Sequence, residues 1–225
     1  MKTRILPIIF SVSIILIVLI TSINVWSFND HYYQKIYDTN QTAQSMKMSK
    51  ESLDDATQVL LDYLKDNRDN LDLVVEVDSQ PVAMFNQKEI DHMVDVKKLY
   101  QGVLFIRSFS IITLVISAIS LIVMLKRDSG FFVWRGFKLT ITTFAILLAV
   151  LGVYIITDFN GFWNQFHEVF FTNDLWILNP KTDRLINMVP LNFFNGLVNR
   201  IVVSIIVSLG VITGGLRLWK KRTSI

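Results

Sequence analysis

Four stretches of the chain carry no charged side chain: 5–29, 108–125, 139–157 and 201–216. About 20 apolar residues in helical form cross the hydrocarbon core of a bilayer, so the first three are long enough as they stand. The fourth is short, but Arg200 and Arg217 at its ends can snorkel to opposite interfaces, and Leu197 and Val198 extend its apolar surface. The pattern therefore predicts four membrane-spanning helices. Lys2 and Arg4 before the first run imitate a secretory signal. The run exceeds a typical signal core, however, and no small-residue cleavage pattern surrounds Ser27. Within the fourth run, Gly210 and Gly214 permit a close helix–helix contact.

The polar stretches between the spans have patterns of their own. Ser49 or Ser52 is placed to cap a helix whose apolar face is Leu53, Ala56, Val59, Leu60, Tyr63 and Leu64, ending at 67–70. Leu71, Leu73, Val75 and Val77 alternate with polar neighbours as a strand does. The turn at 78–81 predicts a returning strand over 82–85. Asn86 with Glu89 has the spacing of a capping box and opens a helix through Ile90, His92, Met93 and Val96. Nothing breaks that helix before Tyr100, so it is expected to run straight into the second span. The stretch after the third span is aromatic: Trp163, Phe166, His167, Phe170 and Phe171 share one side of a short helix and suit a membrane interface. Turns at 173–174 and 179–183 and a short apolar element at 185–188 follow.

Composition supports the membrane reading: 52% of residues are apolar and only 18% charged, against roughly a quarter charged in soluble domains. A soluble globular protein is excluded. The absence of cysteine removes thiol nucleophiles, disulfide frameworks and thiolate metal sites. The net charge of +3 hides a strong asymmetry. Segments 1–4, 126–138 and 217–225 together carry +9, segment 27–106 carries −6, and segment 158–199 carries −2. Basic segments stay cytoplasmic, which puts both termini inside and both long loops outside. The expected organisation is an α-helical integral membrane protein with four transmembrane helices and a small mixed α/β extracytoplasmic cap. Its helices cover 1–26, 103–125, 139–157 and 197–217. The loops cover 27–102, 126–138 and 158–196, with a cytoplasmic tail over 218–225.

Three histidines are present. His31, beside Tyr32 and Tyr33, reads as a surface or interfacial residue. His92 lies between Asp91 and Asp95, and on its own it reads equally well as a solvated helical histidine or a catalytic one. His167 lies among aromatics, with the same balance between a buried structural ring and a reactive one. Both are expected outside the same leaflet on helices attached to adjacent spans, and two imidazoles together can take and return protons for acyl transfer. A metal site built on His92 and Asp95 with His167 or Glu168 is a rival reading, ranked lower because no H-E-x-x-H pattern occurs. No G-x-S-x-G elbow or glycine-rich phosphate loop is present. Topology accounts for the basic residues, so nucleic-acid binding has no basis. Arg107 and Arg200 read as interface anchors.

The segments 85–97 (FNQKEIDHMVDVK) and 166–176 (FHEVFFTNDLW) resemble the two hallmark segments of the bacterial lipoprotein intramolecular transacylases, the Lit family. The continuations 178–183 and 185–194 are similar as well. After Pro190 many members carry an acidic residue, whereas this chain has Leu191 and Asn192. The resemblance implies a reaction in which the sn-2 acyl chain of a diacylglyceryl-modified lipoprotein moves to the free α-amino group of its N-terminal cysteine. It implies His92 and His167 as the catalytic pair and no bound cofactor or metal. The expected partners are lipoproteins of this kind and membrane lipid. Asp91 and Asp95 are candidates to orient His92. Glu168, Asn173 and Trp176 are candidates to orient His167 or to donate to the oxyanion. Trp163, Phe166, Phe170 and Phe171 are candidates for an aromatic chamber. The alternative from another class is a non-catalytic membrane protein whose cap binds a lipid or a protein partner.

Overall fold

The computed structural model describes the backbone of residues 2–223 and the side chains of residues 5–222. Lys2 and Arg4, part of the basic N-terminal cluster, have side chains outside the described residues. The chain forms nine α-helices and one two-stranded sheet among the described residues. They run α1 (Lys2–Ser27), α2 (Asp30–Asn40), α3 (Thr42–Ser45), α4 (Lys50–Leu64), β1 (Val74–Val77), β2 (Gln80–Ala83) and α5 (Gln87–Leu125). Then follow α6 (Ser129–Thr157), α7 (Phe159–Phe170), α8 (Leu185–Met188) and α9 (Leu191–Thr223). Three helical stretches are long and apolar enough to cross a membrane: 5–27, 87–157 and 191–222. The middle one comprises α5 and α6 joined by a 3₁₀ turn at 126–128, where Lys126 adopts a left-handed φ of 46°. The protein is thus a mostly helical membrane protein with a small sheet.

The chain folds as two compact units. The first contains residues 1–25, 103–159 and 199–225. Its centre is apolar: Ile15 of α1 meets Ile205 and Leu209 of α9, flanked by Ile141, Phe144 and Leu148 of α6. The outward faces are apolar too, with Phe105, Val150, Ile156 and Val211 all exposed, Ile156 to 83%. Such exposure across several helices is what a lipid solvent tolerates and water does not. A tight approach occurs at Gly136, where an added Cβ would lie 2.5 Å from the Pro7 Cβ and 2.9 Å from its backbone carbon. Gly210 and Gly214, by contrast, have nothing within 4 Å of such a Cβ. The contact that this pair permits is not made within the described residues, whereas Gly136 makes one. Gly136→Ala is expected to destabilise the protein by about 1–3 kcal/mol, because both atoms it meets are rigid. Gly102→Ala, with open space around it, is expected to leave the melting temperature in detergent level or slightly raised.

The second unit contains residues 26–102 and 160–198. Asn29 caps α2 by accepting the Tyr32 N–H at 2.9 Å. The sequence pattern did not single out this helix, because its buried face consists of Tyr32, Tyr33 and Tyr37, not of aliphatic residues. Two of these rings, Tyr32 and Tyr33, pack on Phe193 at 5.0 and 4.8 Å. Ser49 caps α4 through the Ser52 N–H, and Leu53, Ala56, Val59, Leu60 and Tyr63 are buried as the periodicity requires. The helix stops at Leu64, earlier than expected. Asp66 turns left-handed at φ 64°, and the Asn67 N–H reaches back to the Asp62 carbonyl at 2.9 Å, a Schellman-type ending. In the hairpin, Val77 pairs with Gln80 and Val75 with Val82. Asp78 and Ser79 both take positive φ, as a two-residue type I′ turn demands. The return strand therefore starts at Gln80, two residues sooner than the sequence suggests. Pro81 faces Glu76, a non-hydrogen-bonded position where a missing N–H costs nothing.

Candidate active site

The capping box at the start of α5 is present in both directions. The Asn86 N–H donates to the Glu89 carboxylate at 2.8 Å, and the Glu89 N–H donates to the Asn86 side-chain oxygen at 3.1 Å. Glu89 does more than cap. Its side chain is fully buried, 0% exposed, and its other oxygen accepts the backbone N–H of Leu185, the first residue of α8. Asn86 also donates to Asp183 at 2.8 Å, and Asp183 in turn accepts the Asn179 N–H at 2.6 Å. Burial pushes the Glu89 carboxyl up, while the N–H groups of Asn86 and Leu185 hold it back. The first turn of α5 is thereby bound to a segment nearly a hundred residues away. Nothing local in the sequence marks that long-range partnership.

His92 lies one turn beyond Glu89, on the same face. Its imidazole is 7% exposed, and its Nδ1 is buried with no hydrogen-bond partner. Helix α7 supplies the second ring. His167, also 7% exposed, engages the Trp163 carbonyl one turn earlier through Nδ1 at 2.7 Å. A carbonyl only accepts, so Nδ1 carries the proton and Nε2 of the neutral ring carries the lone pair. The two ring centroids are 6.0 Å apart, with planes tilted by 35°.

Aromatic rings enclose the pair. Trp176 stacks on His167 at 4.8 Å, Trp163 and Phe166 meet its edge at 4.9 and 5.4 Å, and Phe171 lies 5.6 Å away. Phe171 also stands edge-on to His92 at 5.3 Å. Phe194, which sequence reasoning did not single out, stacks on Trp163 at 4.3 Å. Phe170 packs on Phe166 at 4.9 Å but is half exposed. Burial pushes the His92 imidazole down to about 4; His167 adds to the fall, Asp95 opposes it and Lys88 adds again. Burial also lowers His167, against the bond to the Trp163 carbonyl. Both shifts favour the neutral imidazole.

The remaining candidates divide. Asp95 and Asn173 bond each other at 2.9 Å, linking α5 to the loop after α7, and the Asn173 amide holds the Asp95 carboxyl below the usual carboxylate range. Asp91 instead accepts from Gln87 at 2.8 Å. Glu168 is exposed and makes no hydrogen bond to His167 among the described residues. Lys88, four residues before His92, donates to the Ile177 carbonyl, a second strap between α5 and the aromatic loop. His31 is exposed, as its position beside the first span suggests. No group of three His, Asp or Glu side chains converges in a metal-binding arrangement among the described residues.

The sequence profile described as "Lipoprotein intramolecular transacylase Lit" matches residues 8–194. A search among curated proteins finds no significant match. Among solved structures, the chain resembles the membrane integral lipoprotein intramolecular transacylase Lit from Bacillus cereus, determined in meso. The TM-score is 0.74 at 22% identity, covering 98% of this chain and 93% of that one. A form of the same protein with a histidine replaced by arginine gives a TM-score of 0.74 at 19% identity, covering 100% of this chain and 95% of that one. A form with a histidine replaced by alanine gives 0.68 at 19% identity, over 99% and 92% of the two chains. At these identities the likeness establishes a shared fold.

Proposed function

Since this chain belongs to the lipoprotein intramolecular transacylase family Lit, and is on that ground an acyltransferase, we propose that His92 and His167 move the protons of its reaction. The substrate in this reading is a diacylglyceryl-modified lipoprotein. Its α-amino nitrogen attacks the sn-2 ester carbonyl and gives up a proton to one imidazole. The C–O bond of the tetrahedral intermediate then breaks as the glyceryl oxygen takes a proton back, leaving an N-acyl, lyso-glyceryl product. Donor and acceptor belong to one molecule, so no acyl-enzyme intervenes. Holding the two ends together can supply up to ~7–11 kcal/mol of the barrier. The observation that carries the reading is the pair of buried imidazoles 6.0 Å apart, one with an unpartnered buried nitrogen. A buried polar atom without a partner costs about 1–3 kcal/mol, a cost a reacting amine or alcohol would remove. The His167 tautomer leaves Nε2 free to act as base, and aromatic walls exclude water that would otherwise hydrolyse the ester. Trp176, stacked on His167, is the nearest candidate donor for the oxyanion.

The membrane topology belongs to the same proposal. The 71-residue helical stretch 87–157 would span about 107 Å if straight, over three times a bilayer core. It is read as two crossings folded at the turn 126–128, which makes four spans: 1–26, 103–125, 139–157 and 197–217. The basic segments stay inside with both termini, and the loops 27–102 and 158–196, which carry the histidines, lie outside.

The test is a purified protein given a diacylglyceryl lipopeptide with a free amine. Substrate and product have equal mass, so tandem mass spectrometry must locate the acyl chain. Conversion is expected with the free amine and none with an N-acetylated control; an untouched free-amine substrate would refute the reading. The pH profile is a further prediction. A base must be neutral, and burial holds both rings below 6.5, His92 at about 4, so protonation of either ring costs activity only below that range. The substrate amine, with a pKa of about 8, governs the range above. Log kcat/KM is expected to fall with slope one from pH 8 to about 6.5, and to steepen only below that value, where the lowered imidazoles take up protons.

A further inference from the structure

The reaction concerns only the first residue of the substrate, yet the polypeptide behind that residue needs a course away from the imidazoles. The second unit contains a cleft of about 550 Å³ lined by Asn40, Ser45, Met46, Arg184, Asn187 and Asn192, among others. Ligand sites commonly enclose ~300–1,000 Å³, so the space is ample. No carboxylate and no aromatic ring lines it, which makes it a poor bed for an acyl chain or a cation. Resting on the transacylase reading above, we propose that this cleft holds the main chain of the first few residues that follow the lipidated cysteine.

Amide side chains carry the argument. Each offers the donor and the acceptor of a peptide group, so amides recognise a backbone whatever its side chains. Asn40 and Asn192 already exchange hydrogen bonds, at 2.9 and 3.4 Å, and each keeps one N–H and one lone pair in reserve. Asn187 spends both amide hydrogens on the carbonyls of Pro180 and Asp183, at 2.8 and 3.0 Å, which fixes its oxygen as an acceptor. Arg184 is anchored by one nitrogen on the Ala83 carbonyl at 3.1 Å, with the rest of the guanidinium able to donate. Donors and acceptors are thus held in place before any ligand arrives.

The cleft is also joined to both imidazoles. Asn192 is two residues from Phe194, whose ring stacks on Trp163, and Trp163 meets His167. Arg184 precedes Leu185, whose N–H is held by Glu89 one turn from His92.

Two experiments test the proposal. The first compares kcat/KM for diacylglyceryl cysteine amide with that for diacylglyceryl pentapeptides of two unrelated tail sequences. The wild type is expected to favour both pentapeptides by about tenfold, and Arg184→Gln, Asn192→Asp and Ser45→Trp are expected to bring that ratio towards one. A variant that merely folds poorly loses both rates in proportion, so a ratio left unchanged by all three substitutions overturns the proposal, as does a wild-type ratio near one. The second experiment needs no turnover. With p-benzoylphenylalanine in place of Met46, an N-acetylated lipopentapeptide is expected to be cross-linked through its tail. Labelling no greater than that of the tail-less probe overturns the cleft, whether or not the wild type moves acyl chains. A wild type that cross-links the tail but moves no acyl chain would fault the transacylase reading and leave the cleft standing.

Discussion

Replacing either His92 or His167 by alanine is expected to cut acyl transfer by about 10²–10⁴-fold, the range spanned by positioned general acid–base groups. The fold should survive both changes, for reasons that differ. His92 makes no hydrogen bond among the described residues, so its loss removes packing against Phe171 and an unpaired buried nitrogen together. His167 loses one bond to its own helix, at Trp163, worth about 1 kcal/mol. Tandem mass spectrometry of the acyl position, read beside the melting temperature in detergent, separates the chemical effect from the structural one. Transfer at the wild-type rate by either variant would leave the proton relay without support. A membrane protein that only binds lipid or a partner would show the opposite pattern, with altered melting and no acyl movement even in the wild type.

The largest expected effect on stability falls on Glu89. Its carboxylate is fully buried and accepts the Asn86 and Leu185 N–H groups. Glu89→Ala leaves those donors orphaned at about 1–3 kcal/mol each, so a loss of roughly 3–5 kcal/mol is expected. Glu89→Gln presents an amide nitrogen to one of the N–H groups and is expected to recover only part of it. Hydrogen exchange should find the loss concentrated at 86–92 and 179–188, because the carboxylate joins those two segments. Exchange raised uniformly over the whole protein would contradict that assignment.

Acid adds to this sensitivity. A histidine whose pKa is lowered in the folded state binds its proton more readily when unfolded. Stability is therefore expected to fall as pH drops from about 6.5, where the unfolded ring begins to charge, towards the folded value. For His92 that window reaches down to about pH 4. Thermal melts between pH 7 and 4.5 measure it, and the slope should flatten in His92→Ala.

Much of this protein is decided along the chain. Charge-free runs long enough to cross a bilayer force helices there, since a lipid solvent satisfies no backbone group. Asn86 and Glu89 are spaced for reciprocal capping, and the helix they open does run unbroken through Leu125. The aromatic spacing of 163–170 places Trp163, Phe166 and His167 together because they lie within one or two turns. Endings and turns were less legible. Whether α4 stopped at Leu64 or a few residues later depended on Asp66 adopting a left-handed backbone, a choice that several polar residues in that stretch permit.

Tertiary structure alone decided what lies far apart in sequence. No local pattern states that the Glu89 carboxylate would find the Leu185 N–H, that Phe194 would stack on Trp163, or that Asp95 would turn to Asn173. Each depends on which loops close onto which helices. The protonation of the histidines is of the same kind: residue type makes them titratable near neutrality, but only burial beside a second ring drives His92 far below that range. Close packing between the long helices followed the same rule. Gly210 and Gly214 had the spacing for contact, yet the space taken was at Gly136, because a glycine shapes an interface only where another backbone arrives to use it.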